Sequence, residues 1–74
     1  MVEKLLSLSF IKPILEKEAE LKNLNVYLFN NEEIIKYYNV SDKNIGVILL
    51  AKDENNALFN LKNLRKCYAI NVNE

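Results

Sequence analysis

The sequence predicts an α/β fold: a small three-stranded parallel sheet flanked by helices, ordered helix, strand, helix, strand, helix, strand, a Rossmann-like fragment. Three observations lead there. Residues 45–50 read I-G-V-I-L-L, an almost unbroken apolar run with a β-branched bias, as in a strand covered on both faces. Shorter apolar or alternating runs stand at 26–29 and 68–72. Amphipathic segments separate these runs, and strands alternating with helices call for right-handed crossovers in a parallel sheet.

The N-terminal segment supports two readings. Val2, Leu5, Leu6, Ser9 and Phe10 follow a helical stripe, whereas Leu6, Leu8 and Phe10 alternate with serines as a strand would; the helix is preferred. Pro13 either kinks that helix or takes the first position of a new one, and it biases Lys12 away from helical angles. From Ile14 onwards Ile14, Leu15, Ala19 and Leu21 share a face, with Glu16, Lys17 and Glu20 largely outside it, until Asn23 and Asn25 act as stop signals.

After the strand at 26–29, Asn30 or Asn31 caps a helix with Glu32 and Glu33 in its first turn. Ile34, Ile35 and Tyr38 face the core from it, and it ends near Asn39. A polar loop, 40–44, leads into the central strand. The turn at 52–56 follows, where Asn55 or Asn56 accepts a hydrogen bond from an orphan amide. Asp53 and Glu54 place negative charge beside the positive end of the helix dipole, so a helix starts near Asn56. The last strand, 68–72, is expected at a sheet edge.

Seventy-four residues make one α/β domain, 1–74, with no linker or repeat to divide it. A chain of this size buries only about 60% of its unfolded surface, so it is expected to need a partner for stability. Half of the residues are hydrophobic and 27% are charged, as in globular domains. No run is long enough to span a membrane, and the start has neither a secretory apolar core nor an Arg-rich transit pattern. Any organellar address is expected to have been removed or never needed. Ten basic and ten acidic side chains cancel, so no global field draws the chain to nucleic acid or an anionic membrane. The single Cys67 cannot form an internal disulfide, fits a reducing compartment, and reads as a small buried apolar residue. Asn, Lys, Ile and Tyr fill 32 of 74 positions, which hints at an A/T-rich genome.

Most catalytic chemistry lacks its residues here. There is no histidine, the lone cysteine excludes zinc clusters and thiol pairs, and Gly46, the only glycine, lies at the front of a strand instead of after one. No enzyme activity, cofactor, metal or small-molecule substrate is expected. Asn30 with Asn31, and Asp53 with Glu54, stand after strands where α/β proteins place ligands, but helix capping accounts for them on local grounds. Glu16, Glu18 and Glu20 among lysines read as a solvated helix surface.

The candidate binding surface is on the last helix. Ala57, Leu58, Leu61 and Leu64 make one apolar face, which groups Phe59, Lys62 and Lys66 on the opposite side, with Arg65 near the rim. An exposed aromatic between lysines suits stacking on an RNA base or filling a protein pocket. The same residues read equally as a solvated face with one stray phenylalanine.

The stretch 45–64, and within it E-N-N-A-L-F-N-L-K-N-L, resembles the C-terminal part of the large-subunit ribosomal protein L-four family, bacterial or organellar type. There a buried strand leads through an acidic D-E-N turn into a helix reading A-R-N-L. Lys62 and Asn63 fall on the family's arginine and asparagine, and Cys67, Ala69 and Val72 on apolar positions of its next strand. Arg65 departs from the family's proline, bulky Leu61 replaces a small residue, and the family's N-terminal part and long basic loop have no counterpart. The resemblance implies a non-catalytic constituent of the large ribosomal subunit that binds ribosomal RNA and neighbouring ribosomal proteins, with Phe59, Lys62, Arg65 and Lys66 as candidate contacts. It implies a shortened or split organellar version, mitochondrial or else plastid, with the cytoplasm left open. The alternative is a thioredoxin-like interaction module, because E-E-I-I-K-Y-Y-N-V before a buried strand also resembles the middle of that fold; without a C-x-x-C pair it would be redox-inactive.

Overall fold

The ambiguous N-terminal segment holds both of its candidate elements. In the computed structural model, which describes residues 5–74, Leu6–Ser7 is a two-residue strand, β1, and helix α1 (Leu8–Lys22) follows at once. Val2, part of the expected helical stripe, lies outside the described residues. α1 runs through Pro13 without a break, starting six residues before Ile14. The proline has no N–H, so the carbonyl of Ser9, on an exposed turn, is left to solvent. The helix stops at Asn23, whose φ of 57° is left-handed and whose N–H bonds to the Ala19 carbonyl.

Strand β2 (Asn25–Phe29) leads to α2 (Asn31–Ile34), which is a single turn and does not reach Asn39. Its start is a full capping box. The Asn30 side chain accepts from the Glu33 N–H at 3.0 Å, and the Glu33 carboxylate accepts from the Asn30 N–H at 2.9 Å. The Asn31 amide donates to the carbonyls of Val40 and Asp42, drawing the following loop back over the turn. Ile34 is buried and Tyr38 half-buried, but Ile35 is exposed. Strand β3 (Ile45–Ala51), helix α3 (Glu54–Lys62) and strand β4 (Cys67–Asn71) complete the order. α3 begins two residues before Asn56 because Asp53, not Asn55 or Asn56, is its cap.

The three-stranded parallel sheet is not what forms. The sheet has four strands in the order β1-β4-β3-β2, with β1 parallel to β4 and both other pairs antiparallel. Connection lengths explain this. Four-residue α2 rises about 6 Å and nine-residue α3 about 13 Å, while seven-residue β3 spans about 23 Å. Neither helix returns the chain along the sheet, so each following strand enters where the last one ended. β4, expected at an edge, lies between β1 and β3; the edges are β1 and β2.

Both sheet faces are nonetheless covered. α1 lays Ile11 and Leu15 on one face against Ile48 and Ile70, with Leu6, Val26 and Leu50 around them. α2 and α3 lay Ile34, Ala57 and Leu61 on the other against Phe29, Val47, Leu49 and Ala51. Each fully buried Ile or Leu is worth about 1.5–3 kcal/mol.

Gly46 sits inside this stack opposite Ile70. A Cβ there would lie 2.7 Å from the Phe29 carbonyl oxygen and 2.9 Å from Val72 Cγ1. The first contact is backbone and cannot swing away. Gly46→Ala is expected to lower unfolding stability by about 1–3 kcal/mol, read from the urea midpoint; an unchanged midpoint would show that β2 yields freely at Phe29.

Candidate functional site

The acidic turn and the helix after it are built from local hydrogen bonds. The Asp53 carboxylate accepts from the Asn56 N–H at 2.8 Å, and Glu54 opens the first turn of α3. Ala57 and Leu61 are fully buried and Leu58 is half-buried, as their helical face predicts. Phe59, on the opposite side, is 50% exposed.

At its other end α3 is tied to the α2 loop. The Tyr38 hydroxyl lies 2.5 Å from the Leu61 carbonyl and 2.7 Å from that of Lys62, and donates to this last turn. The Lys62 ammonium lies 5.6 Å from the centre of the Tyr37 ring, a cation–π distance. Asn63 folds its amide back onto the Phe59 carbonyl at 2.8 Å.

Because α3 stops at Lys62, the helical face drawn through residue 66 does not hold. Leu64 is 62% exposed instead of joining the apolar face. Leu64 and Lys66 are both left-handed, at φ 48° and 55°, a region in which branched and long side chains are uncommon. The Arg65 N–H donates to the Asn60 carbonyl at 2.8 Å, closing the turn between them. Phe59 and Lys62 therefore share the outer side of α3, Arg65 is exposed on the turn, and Lys66 is carried round to a different surface.

That surface is a cleft of about 410 Å³ at one end of the sheet. It exists because β3 outruns β4: Leu49 pairs with Cys67, whereas Leu50 and Ala51 pair only with Val26 and Asn25 of β2. Leu15 and Leu50 line it from the α1 side, and Lys52, Asn56, Asn60, Lys66 and Tyr68 surround the gap. Lys22 also lines it, 2.8 Å from Glu18; this hydrogen bond and the carboxylate charge raise the lysine's pKa. Of the cleft residues, only Lys66 was a candidate contact in the sequence. Asn56 and Asn60 on α3, Tyr68 on β4 and Lys52 on the turn between β3 and α3 are brought together only by the unequal strand lengths.

Cys67 opens β4, half-buried, with its sulfur 3.4 Å from the Asn60 carbonyl and 3.3 Å from that of Arg65. Burial pushes its thiol pKa up, and burial likewise raises that of the Tyr38 hydroxyl. Among the described residues no group of three His, Cys, Asp or Glu side chains converges as a metal site would require. No helix among them is long and apolar enough to cross a membrane. Compared with known proteins, the chain matches no family model, no curated protein and no solved structure.

Two outcomes test this geometry. Leu64→Gly removes a Cβ from left-handed backbone at an exposed position. After the loss of unfolded-state restriction it is expected to raise stability by about 0.5 kcal/mol, measured by urea titration; destabilisation would mean that the leucine side chain packs in solution. The pH dependence follows from Cys67. Its folded-state pKa lies above the ordinary 9.0, so the protonated thiol's contribution is complete below pH 9 and is lost as pH rises through the folded value. The urea midpoint is expected to fall above pH 9 and to begin its fall later in Cys67→Ala; identical profiles would contradict the thiol's burial.

Proposed function

We propose that this chain is a non-catalytic structural component of a large ribosomal subunit, akin to the L-four proteins, that binds ribosomal RNA and neighbouring ribosomal proteins. The ribosome in question is organellar, mitochondrial before plastid. The observation that carries the reading is the α3–β4 turn. Two non-glycine residues hold left-handed backbone there, and beside them Phe59, Lys62 and Arg65 stand on the surface without serving either apolar cluster. Backbone strain kept outside the core is characteristic of positions that present a binding surface. An aromatic with flanking cations suits RNA, whose unstacked bases take an aromatic face and whose phosphates take cations.

Two further features support an embedded chain. β3, an acid-capped turn and α3 follow one another over 45–62, the local order that the resemblance implies. Nine large apolar or aromatic side chains are exposed among the described residues. Three of them, Phe10, Ile14 and Leu21, recur at spacings that place them on one exposed stripe of α1, so Ile14 and Leu21 do not share the buried face of Leu15 and Ala19 as their sequence spacing suggested. Exposed apolar surface of this kind is ordinarily covered by a partner.

The test is sedimentation of a tagged copy from its native source in high salt. The wild type is expected to travel with the large subunit. The triple variant Phe59→Ser, Lys62→Ser, Arg65→Ser, at surface positions, is expected to keep its circular dichroism and urea midpoint while its incorporation falls several-fold. Recovery of the wild type as a small free species would overturn the ribosomal reading and favour a protein-interaction module. Full incorporation of the triple variant would move the contact away from α3.

A further inference from the structure

The geometry points to a seat for the backbone of single-stranded RNA in the cleft where β3 outruns β4, with Lys52 and Lys66 each meeting a phosphate and Tyr68 offering its ring to the adjoining base. This deepens the RNA-binding reading above and gives it a second surface, on the far side of the α3–β4 turn from Phe59.

Charge is the first support. The whole chain is neutral, yet three lysines and one carboxylate line this cleft, an excess of two positive charges. Lys22 and Glu18 neutralise each other at 2.8 Å, whereas Lys52 and Lys66 take part in neither ion pair among the described residues. Asp53, next to Lys52, has its carboxylate turned to the Asn56 N–H. The two free ammonium groups thus come from opposite ends of the α3 excursion, one at the exit of β3 and one before β4. Left-handed Lys66 is what brings its end to the cleft.

The second support is the amides. Asn25, Asn31 and Asn63 each commit their amide to a backbone carbonyl. The side chains of Asn56 and Asn60 line the cleft and enter none of the side-chain hydrogen bonds among the described residues; no buried side-chain polar atom there lacks a partner, so their amides face the solvent of the cleft. An asparagine amide can donate to a phosphate oxygen or pair with a base edge. The third support is Tyr68, 41% exposed on the α1 face of β4, beside apolar Leu50 and Leu15. An exposed ring over an apolar floor beside unpaired lysines is the arrangement by which proteins stack and neutralise a single strand. An acidic peptide would satisfy the lysines but leave the ring unused. The volume falls within the range of small-ligand clefts, enough for a nucleotide unit and not for a duplex.

The probe is a fluorescein-labelled oligouridylate of about ten nucleotides, followed by anisotropy across a salt series with the full chain. Wild type is expected to bind, with log K falling linearly in log salt. Lys52→Gln and Lys66→Gln should each reduce that slope by about 0.7, the value for one phosphate contact on a single strand. Tyr68→Ser should weaken binding on the order of tenfold with the slope unchanged, while Tyr68→Phe keeps it. Lys12→Gln, on α1 outside the cleft, should change neither affinity nor slope by as much as either cleft lysine. Equal slopes for wild type and the Lys52/Lys66 double variant, or equal affinity for an oligoglutamate of matched charge, would overturn the proposal. The urea midpoint of each variant shows that folding is intact. The outcome separates from the ribosomal reading: co-sedimentation with a slope insensitive to Lys52 and Lys66 removes only this cleft, and free sedimentation with a sensitive slope removes only the ribosome.

Discussion

Strand β3 feeds both apolar clusters at once: Val47, Leu49 and Ala51 point to α2 and α3, and Ile48 points to α1. Ile48 and Leu49 have no exposed surface although they are neighbours in sequence, which is possible only if both faces of the sheet are covered there. Removing either layer would bare half of the strand. β3 is also the one strand with two long partners, since β1 contributes only two residues to the sheet. The same requirement fixes Gly46, because the Phe29 carbonyl and Val72 close over the strand and leave no room for a side chain.

That central strand is longer than β4, and the surplus opens the cleft. Leu50 and Ala51 extend beyond the last β4 pair, so the chain leaves the sheet at Lys52 and turns into α3 before its neighbour begins. α3 is short and must deliver the chain back to the same end of the sheet. It does so through a turn with two left-handed residues, held by the Arg65 N–H on the Asn60 carbonyl and by Tyr38 on the last carbonyls of the helix. Each net hydrogen bond of this kind is worth about 1 kcal/mol, comparable to the cost of one left-handed leucine. The turn therefore keeps its shape through tertiary contacts, not through the preferences of its residues, and its shape decides that Lys62 meets Tyr37 while Lys66 meets the cleft.

Residues with a local cause were legible in the sequence. Asn23 as a left-handed stop, Asn30 before Glu33, and the acidic residues ahead of α3 are answers to unsatisfied helix termini, a demand that lies within a few residues. The buried face of α3 at Ala57 and Leu61 followed from period alone. Strand direction was not legible. An apolar run such as I-G-V-I-L-L records that both faces are covered, and it reads the same whichever way the neighbouring strands run. The assumption that double coverage means parallel strands fails here because the intervening helices are too short to cross the sheet. Leu64 and Lys66 were misplaced for a related reason: helical spacing was extended past Lys62, where no glycine or proline marks the end. The cleft had no sequence signal at all, since it arises from a difference of two residues between the registers of β3 with β2 and with β4.

The balance of charge gives the surface its character. With equal numbers of acidic and basic groups there is little long-range field to steer the chain towards a polyanion, and the Debye length of about 8 Å at physiological salt confines each lysine to its own neighbourhood. Attraction must then come from local segregation. Glu18 is held by Lys22, Lys17 faces Glu20, and Asp53 and Glu33 cap helices. Several carboxylates are thus occupied inside the chain, while Lys52, Lys66 and Arg65 remain at one end of the sheet, outside the ion pairs among the described residues. A neutral chain with such an end gains little speed of encounter but a definite orientation once in contact, because rotating it away replaces three cations by solvated acids and lysines in balance. Such a balance suits the proposed role of a part fitted once into an assembly. A protein that scans nucleic acid by diffusion would need the net positive field that this chain lacks.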